Sequence, residues 1–273
     1  MERLASLSAG LPRVCRLGLA TRGNTRLSVN DIRWALDRGL NYLNWCGHDD
    51  GLSRAVSQLS APERDRVVVA YQFSAASARA AERELSQALK SLGTDRIDVL
   101  TFYYVESPSE WQEITGPGGA LEYLKVARKE GKVRLFGLTT HQRKLAAEWA
   151  QSGLLDLLMV RYNAAHRGAE TEVFPVTRKN GIPVVAFTCL RWKALLKSTS
   201  ADPEGWTAPA AREWYRFVLA NPDVSVALMA PHGRAELEDN LALLENWRSP
   251  EPELLQALRE HGERVREHAG TFL

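Results

Sequence analysis

Several side chains that can move protons or bind ligands stand at the carboxyl ends of apolar runs in this sequence. Tyr103 is the candidate proton donor, and His48, His141 or Arg161 is the candidate group that tunes its phenol or binds an oxyanion. The alternative is that Tyr103 only caps the fold and that the histidines are solvated loop residues. The other polar residues that follow such runs are Asn44, Asp49, Tyr71, Gln72, Tyr104, Thr140, Asn163, His166, Cys189 and Arg191.

Metal and thiol chemistry have less support in the sequence. Histidine and aspartate suit zinc or iron, but the candidate histidines show no ligand spacing such as an i, i+4 pair, so we predict no metal site. Cys46 and Cys189 are candidate nucleophiles, although a buried and inert thiol is the commoner case. With only one further cysteine, at position 15, a disulfide framework is not expected and a reducing compartment is.

Eight short apolar runs recur 24 to 41 residues apart and predict parallel strands that are buried on both faces. The predicted strands are Val14–Ala20, Asn41–Trp45, Arg66–Tyr71, Ile97–Tyr103, Val133–Thr139, Leu157–Tyr162, Pro183–Thr188 and Val224–Met229. Helical patterns lie between the runs. Ser28 is the candidate N-cap of one helix, Gly93 the candidate end of another, and the last helix is predicted over about Pro252–His268.

Strict alternation of strand and helix is typical of an open doubly wound sheet or of a closed barrel. The count of eight strands favours the barrel, whose usual size is about 250 residues. We therefore predict an α/β protein with a single (β/α)8 TIM barrel that occupies residues 1–273 as one domain. No G-x-G-x-x-G follows the first predicted strand, so the Rossmann fingerprint is absent. The polar segment 197–209 is a candidate substrate loop or a surface insertion.

Charge and hydropathy argue against two classes of partner. The chain carries 35 Lys and Arg against 33 Asp and Glu, spread along its length, unlike the basic patch of a nucleic-acid-binding protein. No run of about 18 apolar residues is present to span a bilayer, and the first residues lack the apolar stretch of a signal peptide. We expect a cytoplasmic protein that binds a small molecule, with neither nucleic acid nor membrane as a partner.

Seven short motifs, taken in order, resemble the aldo/keto reductases, a family of NADPH-dependent enzymes on an eightfold βα barrel. The motifs are L-G-L-A-T at Leu17–Thr21, A-L-D-R-G-L-N-Y at Ala35–Tyr42, S-L-G-T-D-R-I-D-V at Ser91–Val99, K-E-G-K-V-R-L-F-G-L-T at Lys129–Thr139, R-Y-N-A at Arg161–Ala164, G-I-P-V-V-A-F at Gly181–Phe187 and E-L-E-D-N-L at Glu236–Leu241. The resemblance covers nearly the whole chain. It implies the barrel fold and an oxidoreductase activity.

The resemblance also implies a reaction that depends on four side chains. In the family a Tyr protonates the carbonyl oxygen, a Lys and an Asp lower the pKa of that Tyr, and a His orients the carbonyl. The Asp maps to Asn44, the Lys to Gln72 and the His to Tyr103, while the Tyr maps near Asp49, with any position from Cys46 to Asp49 as its equivalent. No lysine occurs in the first 89 residues. All four members of the tetrad are therefore expected to be replaced.

An NADP(H) site is the cofactor site that the resemblance implies. From the nicotinamide to the adenine, the family's contacts map to Thr139, Thr140, Met159, Phe187, His232, Arg234, Asp239 and Asn240. Met159 replaces a glutamine that holds the nicotinamide amide, and a thioether is a poor hydrogen-bonding group. Phe187 keeps a ring for stacking, while His232 and Arg234 are the candidates for gripping the 2′-phosphate. The adenosine end thus keeps the family pattern better than the reactive end.

Three functions remain open from the sequence. The leading hypothesis is an aldo/keto reductase-like oxidoreductase that carries out NADP(H)-dependent carbonyl or alcohol chemistry with a non-standard active site. Its candidate catalytic residues are Tyr103, His48, Asp49, Asn44 and Gln72. The second is a non-catalytic barrel that binds a small molecule or a partner, and the third is a non-redox lyase or isomerase that uses the same pocket.

Overall fold

The computed structural model describes residues 1–21 and 25–270, and within them eight parallel strands close into a barrel. A two-residue strand pair, β1 (Leu4–Ala5) and β2 (Val14–Cys15), precedes it. The barrel strands are β3 (Leu17–Ala20), β4 (Tyr42–Trp45), β5 (Val68–Phe73), β6 (Ile97–Phe102), β7 (Val133–Thr140), β8 (Leu157–Arg161), β9 (Val184–Phe187) and β10 (Val224–Met229). Each pairs with the next in the chain, and β10 pairs with β3. The predicted (β/α)8 TIM barrel is confirmed.

Helices connect the strands and cover the outside of the barrel. They are α1 (Val29–Asp37), α2 (Gly51–Ser57), α3 (Ala61–Arg64), α4 (Ala78–Leu92), α5 (Pro108–Thr115), α6 (Ala120–Lys129), α7 (Arg143–Trp149), α8 (Ala169–Glu172), α9 (Phe174–Asn180), α10 (Ala211–Ala220), α11 (Arg234–Leu241) and α12 (Pro252–His268). Single 3₁₀ turns lie at Ala194–Leu196 and Ala242–Leu244. None of the described helices is both long and apolar enough to cross a membrane.

The residues predicted to begin and end helices do so in the structure. The Ser28 hydroxyl accepts a hydrogen bond from the Asp31 backbone N–H at 3.2 Å, and the Asp31 carboxylate accepts one from the Ser28 backbone N–H at 2.8 Å. This reciprocal pair satisfies two of the unpaired donors at the start of α1. Gly93 ends α4 in the left-handed conformation, with φ 57°, which glycine adopts without strain. The last helix begins at Pro252 and ends at His268, as predicted.

One predicted strand, Val14–Ala20, is divided in the structure. Its first two residues form β2, which pairs antiparallel with β1, and only Leu17–Ala20 enters the barrel. The buried Arg16 lies between the two pieces, and its guanidinium donates to the carbonyl oxygens of Leu219 and Val224 at 2.9 and 2.7 Å. An apolar run cannot reveal this break, because both pieces are fully buried.

Inward-facing side chains fill the barrel in layers of four that come from alternate strands, as the strand register dictates. From the amino-terminal end upward the layers are Tyr42, Val99, Leu157 and Val226 (basal layer); Gly18, Ala70, Gly137 and Val185 (glycine layer); Asn44, Thr101, Met159 and Leu228 (amide layer); and Ala20, Gln72, Thr139 and Phe187 (top layer). Continuing the alternation by one step puts Cys46, Tyr103, Arg161 and Ala230 at the rim. Polar side chains therefore enter the barrel at the amide layer.

Two glycines make room for the bulky side chains above and below them. A Cβ atom on Gly18 would lie 2.8 Å from Cγ1 of Val226 and 3.0 Å from both Tyr42 and Leu228. A Cβ atom on Gly137 would lie 3.0 Å from the Thr101 hydroxyl oxygen. The fully buried Tyr42 ring thus occupies space that a side chain on β3 would otherwise take.

Substituting Gly18 tests this packing. We expect Gly18→Ala to lower the free energy of unfolding by about 1–3 kcal/mol, because the added methyl group forces neighbouring side chains from their positions. Urea unfolding measures the change. Gly10→Ala is the matched control, since a Cβ at position 10 meets nothing within 4 Å. Adding Val226→Ala to Gly18→Ala should cost less than the sum of the two single changes; equal costs for the two glycine variants would contradict the layer packing.

Candidate functional site

A cavity of about 990 Å³ opens at the carboxyl ends of the barrel strands. Its inner end lies in the barrel mouth and is lined by Asn44, Gln72, Tyr103 and Phe187 among others. Its outer end is lined by the loop after β9 and by α11, including Asp239 and Asn240. Of the residues that the sequence assigned to catalysis and cofactor binding, the cavity brings together these six and Met159. Its size is at the upper end for small-molecule and cofactor sites.

The inner end is polar but carries no charge on any described lining residue. Asn44 is fully buried, and its Oδ1 atom accepts no hydrogen bond from the described part of the chain. Its Nδ2 atom contacts Sγ of Cys46 at 3.9 Å. Thr101, in the same layer, has a buried hydroxyl that is also without a partner there. Because a buried polar atom left unpaired costs free energy, the amide oxygen of Asn44, which lines the cavity, indicates a place for a hydrogen-bonding ligand.

Thr139 and Thr140 end β7 and differ in their hydroxyl partners. The Thr140 hydroxyl oxygen accepts a hydrogen bond from the Gln142 backbone N–H at 3.0 Å. The Thr139 hydroxyl is fully buried in the top layer, and no described residue pairs with it. Phe187 belongs to the same layer and lines the cavity. The unpaired Thr139 hydroxyl and the Phe187 ring thus lie in the same layer of the barrel interior.

Aromatic rings are stacked along the rim of the cavity. The Tyr103 and Tyr104 ring centroids lie 4.0 Å apart, and the Tyr104 ring stacks on the His141 imidazole at 4.5 Å. Tyr104 adopts a left-handed backbone conformation with φ 48°, which is strained for a bulky side chain. The strained backbone of Tyr104 borders the cavity, which both tyrosines line.

Two of the candidate histidines at the strand ends are harder to protonate than a free imidazole, whereas the Arg161 guanidinium keeps its charge. His141 Nδ1 lies 3.0 Å from a Glu106 carboxylate oxygen, yet burial and the nearby Arg161 guanidinium together lower the pKa of His141 below its ordinary value. Burial and Arg161 also lower the pKa of His166, to about 4. Both imidazoles are therefore neutral at pH 7. The Arg161 guanidinium lies 5.5 Å from the Trp192 ring centroid.

His48 and Asp49 lie outside the cavity lining. Both are exposed, and Asp49 accepts a hydrogen bond from Arg54 at 2.9 Å. The hydrogen bond and the charge of Arg54 lower the pKa of Asp49. They stand just before α2, where Asp50 and Ser53 form a reciprocal cap at the helix start. A short polar stretch after a strand does not reveal this position.

His232 and Arg234 also lie outside the cavity lining. Arg234 pairs with Asp31 at 3.0 Å and with Glu238 at 2.8 Å, and its guanidinium lies 4.0 Å from the Trp34 ring centroid. His232 is exposed. Arg234 is thus tied to α1, an association between distant segments that sequence spacing does not indicate.

Three lining or layer residues were not selected from the sequence. Thr101 lies two residues before Tyr103, so the period of a strand identifies it as inward-facing. Glu236 lies one helical turn before Asp239, so the period of a helix puts both on one face of α11. Lys193 pairs with Glu236 across the outer end of the cavity, and no local pattern identifies this contact.

The polar segment 197–209 is fastened to the last helix. The Asp202 carboxylate accepts hydrogen bonds from the fully buried His261 at 2.8 Å and from Arg264 at 2.6 Å, and Trp206 stacks on His261 at 4.0 Å. Leu196 and Ala208, on either side of this attachment, line the cavity. The segment therefore contributes to the cavity wall, and α12 holds it there.

The cysteines and possible metal ligands give no separate site. Cys189 lines the cavity, but burial raises the pKa of its thiol to about 12, so the nucleophilic thiolate is absent at neutral pH. Within residues 1–21 and 25–270, no three His, Cys, Asp or Glu side chains are grouped so as to hold a metal ion. Cys46, the other candidate nucleophile, is partly buried and also lines the cavity, so the polar groups there are amides, hydroxyls and this thiol, together with aromatic rings.

Comparison with known proteins gives consistent results. The model of the aldo/keto reductase family matches residues 16–210. The chain is similar to an NADH-specific methylglyoxal reductase of Escherichia coli, with 29% identity over 49% of this chain and 40% of that protein. It is also similar to the uncharacterized oxidoreductase YrpG of Bacillus subtilis, with 26% identity over 65% of this chain and 62% of that protein. The matched segments thus span less than two thirds of these relatives.

One solved structure shares the fold over most of its length. It is an aldo-keto reductase from Klebsiella pneumoniae in complex with NADPH, with a TM-score of 0.73, coverage of 92% of both chains and 23% identity. At this identity the likeness supports the barrel architecture and its connections.

Replacing Asp202 tests the attachment of segment 197–209. Burial alone would raise the pKa of Asp202, but hydrogen bonds from Thr199, His261 and Arg264 outweigh it and lower the pKa to about 2. The carboxylate therefore stabilises the fold above about pH 4, and this contribution is lost as pH falls toward 2. We expect Asp202→Asn to lower the free energy of unfolding by about 2 kcal/mol at pH 7.

Urea unfolding at several pH values measures this difference, which should shrink below pH 4 (about the ordinary pKa of an Asp carboxyl). Asp37→Asn removes an exposed carboxylate from α1 and serves as the control. Equal stability of Asp202→Asn and the unchanged protein at pH 7 would contradict the attachment.

Proposed function

Because the chain belongs to the aldo/keto reductase family, we propose that it is a single-domain oxidoreductase that uses a nicotinamide dinucleotide to interconvert a carbonyl compound and an alcohol. One observation carries the proposal: a single cavity is lined by Tyr103 and Phe187 at its inner end and by Asp239 and Asn240 at its outer end. An elongated ligand with a reactive end and an adenosine end suits this shape. One relative is named NADH-specific, and one structural neighbour holds NADPH.

The polar atoms of the cavity fit the two ends of a dinucleotide. In this proposal the unpaired Thr139 hydroxyl, which lies in the same layer as the lining residue Phe187 but is not itself a lining residue, hydrogen-bonds the nicotinamide carboxamide, and the Phe187 ring offers a stacking surface. The Asn240 Oδ1 atom is also buried without a partner in the described residues, and it suits the amino group of adenine. When bound, the nicotinamide ring supplies or accepts a hydride.

Tyr103 is the residue that we propose for proton transfer. It lies at the rim, directly above the inner end, and Gln72 and Asn44 line the same part of the cavity. In this proposal Tyr103 donates the proton to the carbonyl oxygen, and the two amides orient the substrate by hydrogen bonds. Asn44, Gln72 and Tyr103 stand where the family has Asp, Lys and His, so the site is non-standard. Because His48 and Asp49 are exposed outside the cavity lining, we assign them no role in the reaction.

The absence of charge at the inner end favours a second candidate, a barrel that binds a dinucleotide or another small molecule without turning it over. No described ammonium or carboxylate lines this end to stabilise a developing charge. Measurements of binding and of turnover on the same protein separate the two candidates.

Thr139→Val tests the cofactor site. Valine keeps the shape of threonine and removes the hydroxyl, so we expect the Kd of the dinucleotide to rise about fivefold, as for one lost hydrogen bond. Quenching of tryptophan fluorescence by NADH and by NADPH gives the Kd. Thr177→Val is the control, because the buried Thr177 hydroxyl donates to Phe174 away from the cavity. No binding of either dinucleotide to the unchanged protein at millimolar concentration would overturn the proposed function.

Tyr103→Phe tests the proton transfer. We expect kcat for an aldehyde panel to fall at least about 100-fold, the usual effect of losing a general acid, with the Kd of the dinucleotide unchanged. Tyr123→Phe, in α6, is the control. An unchanged kcat in Tyr103→Phe would remove this residue from the mechanism. Tight dinucleotide binding with no turnover by the unchanged protein would favour the binding barrel.

A further inference from the structure

The outer end of the cavity is lined by one ammonium and two carboxylates among the described residues. They are Lys193, Glu236 and Asp239. Glu236 pairs with Lys193 and also accepts a hydrogen bond from the His232 backbone N–H at 2.9 Å. Burial acts in the opposite direction, but these two interactions hold the pKa of Glu236 below its ordinary value. Glu236 is therefore ionised at neutral pH and already neutralises Lys193.

Two of the three described guanidiniums around this end are paired with carboxylates, and the third lies outside the cavity lining. Arg234 pairs with Asp31 and Glu238 and stacks on Trp34. Arg212 pairs with Asp239 and lies outside the lining. Arg26 is close by in the chain path, because its backbone N–H donates to the His232 carbonyl, but it does not line the cavity. No described cation at this end is therefore both in the lining and unpaired.

The start of α11 is also poorly suited to a phosphate. A helix N-terminus attracts anions through its unpaired N–H groups. Here the Glu236 carboxylate accepts from the N–H of His232, just before the helix, and puts a negative charge in that position. A second anion at the same place would be repelled.

We propose that the outer end takes a ribose with free hydroxyl groups, so that the cofactor is NAD(H), and that Glu236 is the residue that discriminates against the 2′-phosphate of NADP(H). This inference rests on the proposed function and departs from the NADP(H) site that the motifs imply. A carboxylate accepts hydrogen bonds from a ribose 2′-hydroxyl, as in dinucleotide sites that prefer NAD. A 2′-phosphate brings close to two negative charges at pH 7 and would face the Glu236 carboxylate, with no unpaired cation among the described lining residues to compensate it.

Fluorescence titration tests the preference directly. We expect the unchanged protein to bind NADH at least about 10-fold more tightly than NADPH, and 5′-AMP more tightly than adenosine 2′,5′-bisphosphate, because like charges brought together cost binding energy. The two adenosine fragments isolate the 2′-phosphate from any effect of the nicotinamide end. They also require no variant, so the test does not depend on the folding of a mutant.

Glu236→Gln tests the assigned residue. It removes the carboxylate and releases Lys193, so the ratio of the NADPH and NADH Kd values should fall at least about fivefold, mainly through tighter NADPH binding. Glu245→Gln makes the same change in net charge at an exposed position outside the cavity and should leave the ratio unchanged.

The possible failures are distinguishable. Tighter binding of NADPH than of NADH by the unchanged protein would overturn this inference and leave the proposed function standing. If Glu236→Gln keeps the NADH preference of the unchanged protein, Glu236 is not the residue that discriminates against the 2′-phosphate. Binding of neither dinucleotide would overturn the proposed function and this inference with it.

Discussion

Closure of eight parallel strands fixes the height at which every inward side chain meets the barrel axis. The basal Tyr42 ring extends into the glycine layer, which is possible only because Gly18 has no side chain. Above that layer the interior widens and polar side chains begin with Asn44 and Thr101. The depth of the cavity and the order of its lining residues therefore follow from one packing constraint. A change in the glycine layer would shift the residues at the bottom of the cavity.

The fold could be predicted from the sequence because its strands are buried on both faces. Such strands are continuous apolar runs, so each of the eight was identified within a few residues. The helix signals at Ser28 and Gly93 were also correct, since capping is a local interaction. The division of Val14–Ala20 was missed because Arg16 makes its hydrogen bonds to residues some 200 positions away. The local spacing of residues in the sequence does not indicate contacts of this kind.

The candidate site was only partly predictable, for the same reason. Strand ends carry their side chains to the barrel mouth, so Asn44, Gln72 and Tyr103 were found from position alone. Loop residues do not follow that rule: His48 is exposed and lies outside the cavity lining. Arg234 faces α1 because it contacts both Asp31 and Trp34, and these contacts join segments that are distant in the chain.

The two ends of the cavity differ in the interactions that they can supply. The inner end offers neutral hydrogen bonds and rings, whereas Lys193, Glu236 and Asp239 put charge at the outer end. Because no described ammonium or carboxylate lines the inner end, the proposed reaction depends more on holding the reactants in position than on electrostatic stabilisation of an oxyanion by the lining. In the proposed function, binding at the outer end would supply that positioning, because it would anchor the adenosine far from the reacting atoms. The residues that we propose to select the cofactor would then also determine how well the neutral inner end can work.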